Sequence, residues 1–228
     1  MSFKPILFNT DMVRAILANG KTQTRRVVKQ KYDNTRLAMR TDKYGTRLVE
    51  EEKLIEGVHT VRNPDGTKTL KLRAIEDVLP PYKRGDILWV RETWSTTDKC
   101  GLYPNWPGTG THHYMYKADD PNCEASKEAR WYPSIHMPKE AARIFLRVKG
   151  VRAEQLQEIT SYDCIHEGVS KAVLFMLGEE FTKGTFAALW ESTLKKADLP
   201  RYGWDANPWV WVIEFERCEM PERKEEAE

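Results

Sequence analysis

Thr10-Asp11-Met12-Val13-Arg14-Ala15-Ile16-Leu17-Ala18-Asn19, followed at once by Gly20-Lys21-Thr22-Gln23-Thr24-Arg25-Arg26, is the stretch around which this chain is organised. Val13, Ile16 and Leu17 fall at i, i+3 and i+4 and make one apolar stripe, the pattern of a short helix laid on a core. Thr10 stands where it can cap the first orphan amides, Asp11 suits the positive end of the helix, and Gly20 is expected in a left-handed position just past the helix end. The helix therefore stops sharply and residues 21–26 swing out as a loop or the start of a strand. That segment presents one amine, two hydroxyls and two guanidiniums in six consecutive residues. Two readings of it are open: a ligand site, or cations that complement the C-terminal end of a helix dipole.

The 228 residues suffice for one large domain or one domain with insertions. With 31% charged and 40% hydrophobic residues the composition is that of a soluble globular protein. The net charge is only +2, but residues 1–50 carry eleven Lys and Arg against four acids, a net of +7, while the last fifteen residues carry seven acids against three bases, a net of −4. A basic front and an acidic tail suggest an anionic partner near the motif, against the alternative of a solvated surface. There is no run of eighteen apolar residues and no apolar signal core, so no membrane span is expected. Cys100, Cys123, Cys164 and Cys218 share no CxxC spacing and read as reduced thiols of a cytoplasmic protein.

Pro5-Ile6-Leu7-Phe8 reads as a first strand, and Val27-Val28 as the continuation of the motif into another. Residues 29–82 form a first insertion. Within it Asn63-Pro64-Asp65-Gly66 is a turn between Gly57-Val58-His59-Thr60-Val61 and Thr67-Lys68-Thr69-Leu70-Lys71-Leu72, a hairpin pattern. Lys83-Arg84-Gly85-Asp86 then turns into the strand Ile87-Leu88-Trp89-Val90-Arg91-Glu92-Thr93-Trp94. Alternation puts Trp89 and Arg91 on one face and Glu92 and Trp94 on the other; charges ending a buried strand mark a cleft or a structural ion pair. A second insertion, about 95–135, holds the strand His113-Tyr114-Met115-Tyr116-Lys117. It also holds Cys100, His112, His113 and Cys123, whose spacing matches no standard zinc site, so no metal is expected. His136, at the end of an aromatic segment that includes Trp131, is either a ligand contact or a packed histidine.

Arg143-Ile144-Phe145-Leu146-Arg147-Val148-Lys149 alternates strictly, with Ile144, Leu146 and Val148 facing in. Residues 154–159 read as a short helical turn. Thr160 or Ser161 then caps a second short helix that carries Asp163, Ile165, His166 and Glu167 and stops at Gly168. The longest helix is expected over 179–196, burying Phe186, Leu189, Trp190 and Thr193. The segment 208–217, Pro-Trp-Val-Trp-Val-Ile-Glu-Phe-Glu-Arg, is the last strand. Residues 1–220 form one domain and 221–228 a polar tail. The class is mixed α/β with separated strands, and no GxGxxG or GxxxxGK[ST] loop supports a nucleotide-binding α/β fold. A small barrel or curled sheet with long insertions fits best.

Leu17-Ala18-Asn19-Gly20-Lys21-Thr22-Gln23-Thr24-Arg25 resembles the G-x-K-x-x-T-x-R signature of ASCH domains, with Asn19 standing where the signature has glycine. Lys83-Arg84-Gly85-Asp86-Ile87-Leu88-Trp89-Val90 resembles their K-x-G-D turn entering a strand, and Trp209-Val210-Trp211-Val212-Ile213-Glu214-Phe215 their closing strand. Over the whole chain the resemblance is to ASCH-containing proteins of bacteriophages and prophages, through Pro133-Ser134-Ile135-His136-Met137-Pro138 and Asn207-Pro208-Trp209-Val210-Trp211. It implies a PUA-like β-barrel with a cleft beside the first helix, and RNA or a nucleoside as ligand, with no cofactor. One branch of small ASCH proteins removes the acetyl group of N4-acetylcytidine. Carried over residue by residue, its catalytic set falls on Lys21, Thr24 and Glu167.

Chemistry permits that assignment. Amide cleavage needs a nucleophile, a base and charge stabilisation. Thr24 is a nucleophile if a base takes its proton, and Lys21 is such a base if burial or a nearby cation, Arg25 or Arg26, lowers its pKa. The alternative is a Lys21–Glu167 ion pair with Thr24 a strand hydroxyl. A non-catalytic reader of RNA or a modified base would use Arg25, Arg26, Trp89, Arg91, Glu92, Trp94, Trp131 and His136 as its contacts, since aromatics and Arg stack unpaired bases. A ribonuclease has less support, because neither a metal site nor paired catalytic histidines are seen. No residue speaks for a particle-assembly role.

Overall fold

The structure, a computed structural model, describes residues 2–32, 35–43, 45–52, 60–62, 64–65, 68–70, 74–96, 114–119 and 130–220. Chain order is β1 (Phe3–Leu7), α1 (Thr10–Leu17), β2 (Gln23–Val27), β3 (Thr35–Asp42), β4 (Gly45–Glu52), β5 (Thr60–Arg62), β6 (Lys68–Leu70), β7 (Ala74–Asp77), β8 (Ile87–Arg91), β9 (Trp94–Thr96), β10 (Tyr114–Tyr116), β11 (Phe145–Gln155), α2 (Ser161–His166), α3 (Lys171–Ser192), α4 (Leu199–Tyr202) and β12 (Trp209–Cys218). The class is mixed α+β.

The main sheet has the order β1-β8-β11-β12-β2; β1 runs parallel to β8 and every other neighbour is antiparallel. A small barrel was the expectation. Among the described residues no ladder joins the edge strands β1 and β2, so the pairing is that of an open sheet. The edges nevertheless approach at one end, where the Arg26 guanidinium donates to Leu7 O at 2.7 Å. β12 shows how the sheet divides the core. Its Ile213 and Phe215 pack with Ile6, Phe8, Val13 and Ile16 under α1, while Val210 and Val212 pack with Phe186 and Trp190 of α3. Trp211 meets Leu48 of a second sheet, β3-β4-β7, built from the first insertion. Of the expected hairpin, β5 and β6 pair antiparallel with Thr60 opposite Leu70; residues 57–59, 63, 66–67 and 71–72 of that reading lie outside the described residues. In the second insertion β10 pairs with β9.

Several local readings change. The cap of α1 is Asn9, whose Oδ1 accepts from Met12 N at 2.8 Å, one residue before Thr10. The left-handed residue after α1 is Asn19, at φ 55°, and not Gly20. Asparagine tolerates that region, so Asn19 makes the turn without a glycine. Glu154 and Gln155 end β11, and only Leu156–Glu158 form a 3-10 turn. The long helix begins at Lys171, ahead of the expected 179, and ends at Ser192. Gly178 at φ 84° breaks it where the sequence reading starts it, so two helical pieces meet there. Its buried side chains are Thr182, Phe186 and Trp190, whereas Leu189 is half-buried and Thr193 exposed. α2 matches its reading: Thr160 caps it through Asp163 N at 3.0 Å, and Gly168 follows at φ 107°. The alternation read over 143–149 holds from Leu146 on: Ile144, Leu146 and Val148 are buried and Arg147 and Lys149 exposed, but Phe145 is buried as well and Arg143 is half-buried.

Cys100, His112, His113 and Cys123, and the tail 221–228, lie outside the described residues. No group of three or more His, Cys, Asp or Glu among the described residues could hold a metal ion. No described helix is long and apolar enough to cross a membrane.

Candidate functional site

The turn after α1 fixes the motif. Gly20 N and Lys21 N both donate to Ala15 O, at 2.9 and 3.1 Å, and Thr22 is pinned on two sides: its N–H donates to His166 O of α2, and its carbonyl accepts from Phe215 N of β12, both at 2.8 Å. The end of α2 is thereby held against α1 and β2. Gly168 permits that approach, since a Cβ there would stand 3.1 Å from Ala15 Cβ.

Lys21 and Glu167, 146 positions apart, meet in this contact. Lys21 Nζ donates to Glu167 Oε2 at 2.6 Å and to Glu167 O at 2.7 Å. The other carboxylate oxygen, Oε1, accepts from Arg25 Nη1 at 3.0 Å. Arg25 in turn donates from Nε and Nη2 to Glu154 Oε1, at 2.9 and 2.5 Å, and lies 3.6 Å from Asp163 Oδ2. Arg152, on the rim, pairs with Glu154 at 3.1 Å. Arg152 also pairs with Glu214 on the outer side, so three cations face four carboxylates. They form a gradient: the Lys21 and Arg25 side chains are 0% exposed and Glu167 5%, but Asp163 is 21% and Arg152 42% exposed.

Burial pushes the Lys21 ammonium below its ordinary pKa; Glu167 opposes that shift, while Arg26 and Arg25 add to it. Asp163 is held below the usual carboxylate range: burial alone would raise it, but hydrogen bonds from Gln23 and Thr160 and the charge of Arg25 outweigh that. Aromatic rings line the cluster, with Phe8 5.8 Å from Lys21 Nζ and Phe186 5.9 Å from the Arg25 guanidinium carbon.

Two adjoining hollows lead to this cluster. A cleft of about 410 Å³ opens between the start of α1 (Phe8, Asn9, Met12), Thr93 after β8, and Ser192 and Thr193 at the end of α3, with Arg26 in its wall. A small cavity of about 20 Å³ shares Met12, Arg26 and Thr193 with the cleft and reaches Thr24, Arg25 and Glu167. It has room for a water-sized group only. Thr24 is 1% exposed. Lys21 does not line the cavity; its ammonium stands behind the Glu167 carboxylate. Arg26, half-buried, stacks on Phe8 at 5.2 Å, and the only described hydrogen bond of its side chain is the one to Leu7 O. It thus has donors left for a group entering the cleft.

The six other contact residues read from the sequence, Trp89, Arg91, Glu92, Trp94, Trp131 and His136, line neither hollow. Glu92 is buried in a bidentate pair with Arg143, at 2.9 and 3.0 Å. Arg91 stacks on Trp89 and donates to the carbonyls of Met137 and Ile135, tying the 133–138 turn to β8. Trp94 packs against Tyr114 and Tyr132 at 5.7 and 5.2 Å. Trp131 is half-buried and His136 exposed. Sequence reasoning missed Glu154, Asp163, Phe186 and the α3 end at Ser192 and Thr193. Only Arg152 and Glu154, alternating on one face of a strand, gave a usable signal.

Most cations of the basic front are matched locally: Lys31 by Glu76, Arg36 and Arg40 by Glu51, and Arg47 by Asp42 and Asp77. No family model, no curated protein and no solved structure matches this chain.

Proposed function

We propose that the cleft beside α1 binds RNA or a nucleoside, that the curled sheet is a PUA-like barrel of the ASCH type, and that the site is an amidohydrolase acting on an N4-acylated cytidine. The observation that carries this reading is a dry Lys21–Glu167–Arg25 cluster placed directly behind the cavity that Thr24 and Glu167 line. Burial that lowers a lysine pKa is the condition for a lysine base.

In the proposed reaction Met12 and Thr193, which line both the cleft and the water-sized cavity, draw aside to admit the acyl group. The Thr24 hydroxyl then attacks the amide carbonyl carbon, and its proton passes to the Lys21–Glu167 pair, coming to rest on Lys21 Nζ. Arg26, with donors open to the cleft, stabilises the oxyanion. The C–N bond breaks as the leaving amine takes the proton back. Water then hydrolyses the Thr24 ester, releasing carboxylate and regenerating the hydroxyl.

A second reading, a non-catalytic binder of the same ligands, is favoured by one contact. Lys21 is held by both the carboxylate and the main-chain oxygen of Glu167, as in a structural ion pair. Incubation with N4-acetylcytidine, followed by chromatography for cytidine and acetate, separates the two. The amidohydrolase predicts release of both products, and Lys21→Arg, which keeps the charge but cannot accept a proton, then loses about a hundredfold or more in rate while still binding ligand. Wild-type protein that hydrolyses no acylated cytidine, with Lys21→Arg binding RNA as well as wild type, leaves only the binder.

A further inference from the structure

A third hollow continues the line of the cleft along β2. Val28 N donates to Trp209 O at 2.9 Å, so the extended pairing with β12 runs past Val27. Alternation then puts Arg26, Val28 and Gln30 on one face. Arg26 opens on the cleft, whereas Val28 and Gln30 line a groove of about 190 Å³ beneath the first insertion. Arg201, Tyr202, Asn207 and Trp209 complete that groove, and among the described residues no acid lines it.

The chemistry of the two hollows is alike. In the groove Arg201 stacks on Tyr202 at 5.4 Å and donates to Gln30 Oε1 at 3.2 Å, with no described carboxylate in ion-pair distance. In the cleft Arg26 stands on Phe8 in the same way. Asn207, held at φ 44°, has its Oδ1 occupied by Gln157 N at 2.8 Å, so its side chain has donors left to offer. A guanidinium without a partner acid, aromatic rings and amides together suit a phosphate, a base face and base-edge acceptors. Arg26 and Gln30 are four residues apart, about 13 Å of extended chain at about 3.3 Å per residue. That separation suits neighbouring units of one strand better than a single nucleoside.

We propose that the groove is a second nucleotide subsite, and that the ligand is a single-stranded nucleic acid lying along β2, with one base in the cleft and a nearby nucleotide on Arg201 and Tyr202. A duplex is disfavoured, because its stacked bases cannot present a face to either hollow. The proposal rests on the nucleoside reading of the cleft.

The test titrates the full chain with a labelled five-nucleotide cytidine-rich RNA, the same DNA, and free cytidine, for wild type and Arg201→Ala. Arg201 is exposed and pairs with no described carboxylate, so its removal strands no buried charge. Gln30→Ala provides a second variant from the opposite wall. The expected result is tighter binding of the strand than of cytidine, a loss of about tenfold in strand affinity for Arg201→Ala, and a salt slope smaller by about 1, with cytidine binding unchanged. Preference for RNA over DNA would add a contact to the 2′-hydroxyl, and equal binding would assign the contacts to base and phosphate; either supports the subsite. If the strand binds no tighter than cytidine, or if both variants bind it as wild type does, the second subsite is wrong and the cleft reading stands. If neither strand nor nucleoside binds, the cleft reading fails and takes the subsite with it.

Discussion

The cluster beneath the cleft and the network on the inserted sheet use the same residue types in opposite circumstances. In the first, Lys21 and Arg25 are wholly buried and share Glu167, which is 5% exposed at its side chain. In the second, Glu51 is buried but its partners Arg36 and Arg40 are 50% and 37% exposed, and Arg47 bridges Asp42 and Asp77 in the open. The sheet network follows the rule for surface charge: each cation finds a carboxylate across the ladder, and water screens the rest. The cleft cluster breaks that rule, since desolvating two cations is costly unless every one of them is met. A dry, fully matched cluster adjoining a cavity is where perturbed pKa values serve chemistry, whereas a wet one tells little about function.

The largest expected effect breaks the first region alone. Glu167→Gln leaves Lys21 and Arg25 without their shared carboxylate, and should lower unfolding free energy in urea by about 3–5 kcal/mol. The pH dependence carries the sign. Glu167 opposes the burial that lowers the Lys21 pKa, so the variant's Lys21 loses its proton at a still lower pH. Between that lowered value and about 10.4 the unfolded chain binds more protons than the folded one, and stability rises with pH. The deficit of Glu167→Gln should therefore be largest at neutral pH and shrink toward alkaline pH. Adding Lys21→Met should recover part of it. A deficit that stays below about 1 kcal/mol, or does not depend on pH, would make the cluster energetically a surface network.

Glu51→Gln should cost less, about 1 kcal/mol, because half-exposed Arg36 and Arg40 return to water when their partner is lost. Burial alone would raise the Glu51 pKa, but hydrogen bonds from Arg40 and Arg36 outweigh it and hold the carboxyl below its ordinary value. Its contribution is then complete above the unfolded value of about 4.3 and lost as pH falls through the lower folded value. Wild type and variant should draw together in acid unfolding experiments as pH falls below about 4.3, and converge once it has passed the lowered folded value. A gap that persists there would mean that Glu51 acts through packing and not through charge.

The elements that were legible in the sequence are those whose periodicity is carried by large side chains: α1 by Val13 and Ile16, β11 by Ile144, Leu146 and Val148, and β12 by its tryptophans and Phe215. Of the first insertion only the separate β5–β6 hairpin was legible; the sheet β3-β4-β7 was not, because Thr35–Asp42 mixes Arg, Ala, Met and Thr without clear alternation and its register is set by pairing with β4. The site divides the same way. Lys21, Thr24 and Glu167 could be named together only through a resemblance, since no spacing rule links positions 146 apart, and the contact depends on Gly168 letting α2 approach α1. Glu154 and Asp163 were missed because each looks like a local residue: Glu154 reads as the start of a helical turn, where the structure continues β11, and Asp163 lies in the first turn of α2. Trp89, Arg91, Glu92 and Trp94 read as a cleft mouth because a charged strand end has no visible partner in sequence; Arg143 and the 135–137 carbonyls are those partners.

The smallest expected effect lies at the wet end of the comparison. Arg47 joins three strands, with Nη1 2.7 Å from Asp42 Oδ2 on β3 and Nε 2.8 Å from Asp77 Oδ1 on β7. Geometry alone would rank it beside Arg25. The Arg47, Asp42 and Asp77 side chains are, however, 34%, 40% and 54% exposed, so each regains water when the contact is cut. Holding three side chains in one arrangement also costs rotamer entropy, which offsets most of the Coulomb attraction in high dielectric. Arg47→Ala should therefore melt within about 2 °C of wild type. Any difference should fade as salt is raised toward 1 M, where the Debye length falls to about 3 Å. A larger and salt-independent loss would show the sheet network to be coupled as tightly as the cleft cluster, and exposure would no longer be the property that separates the two.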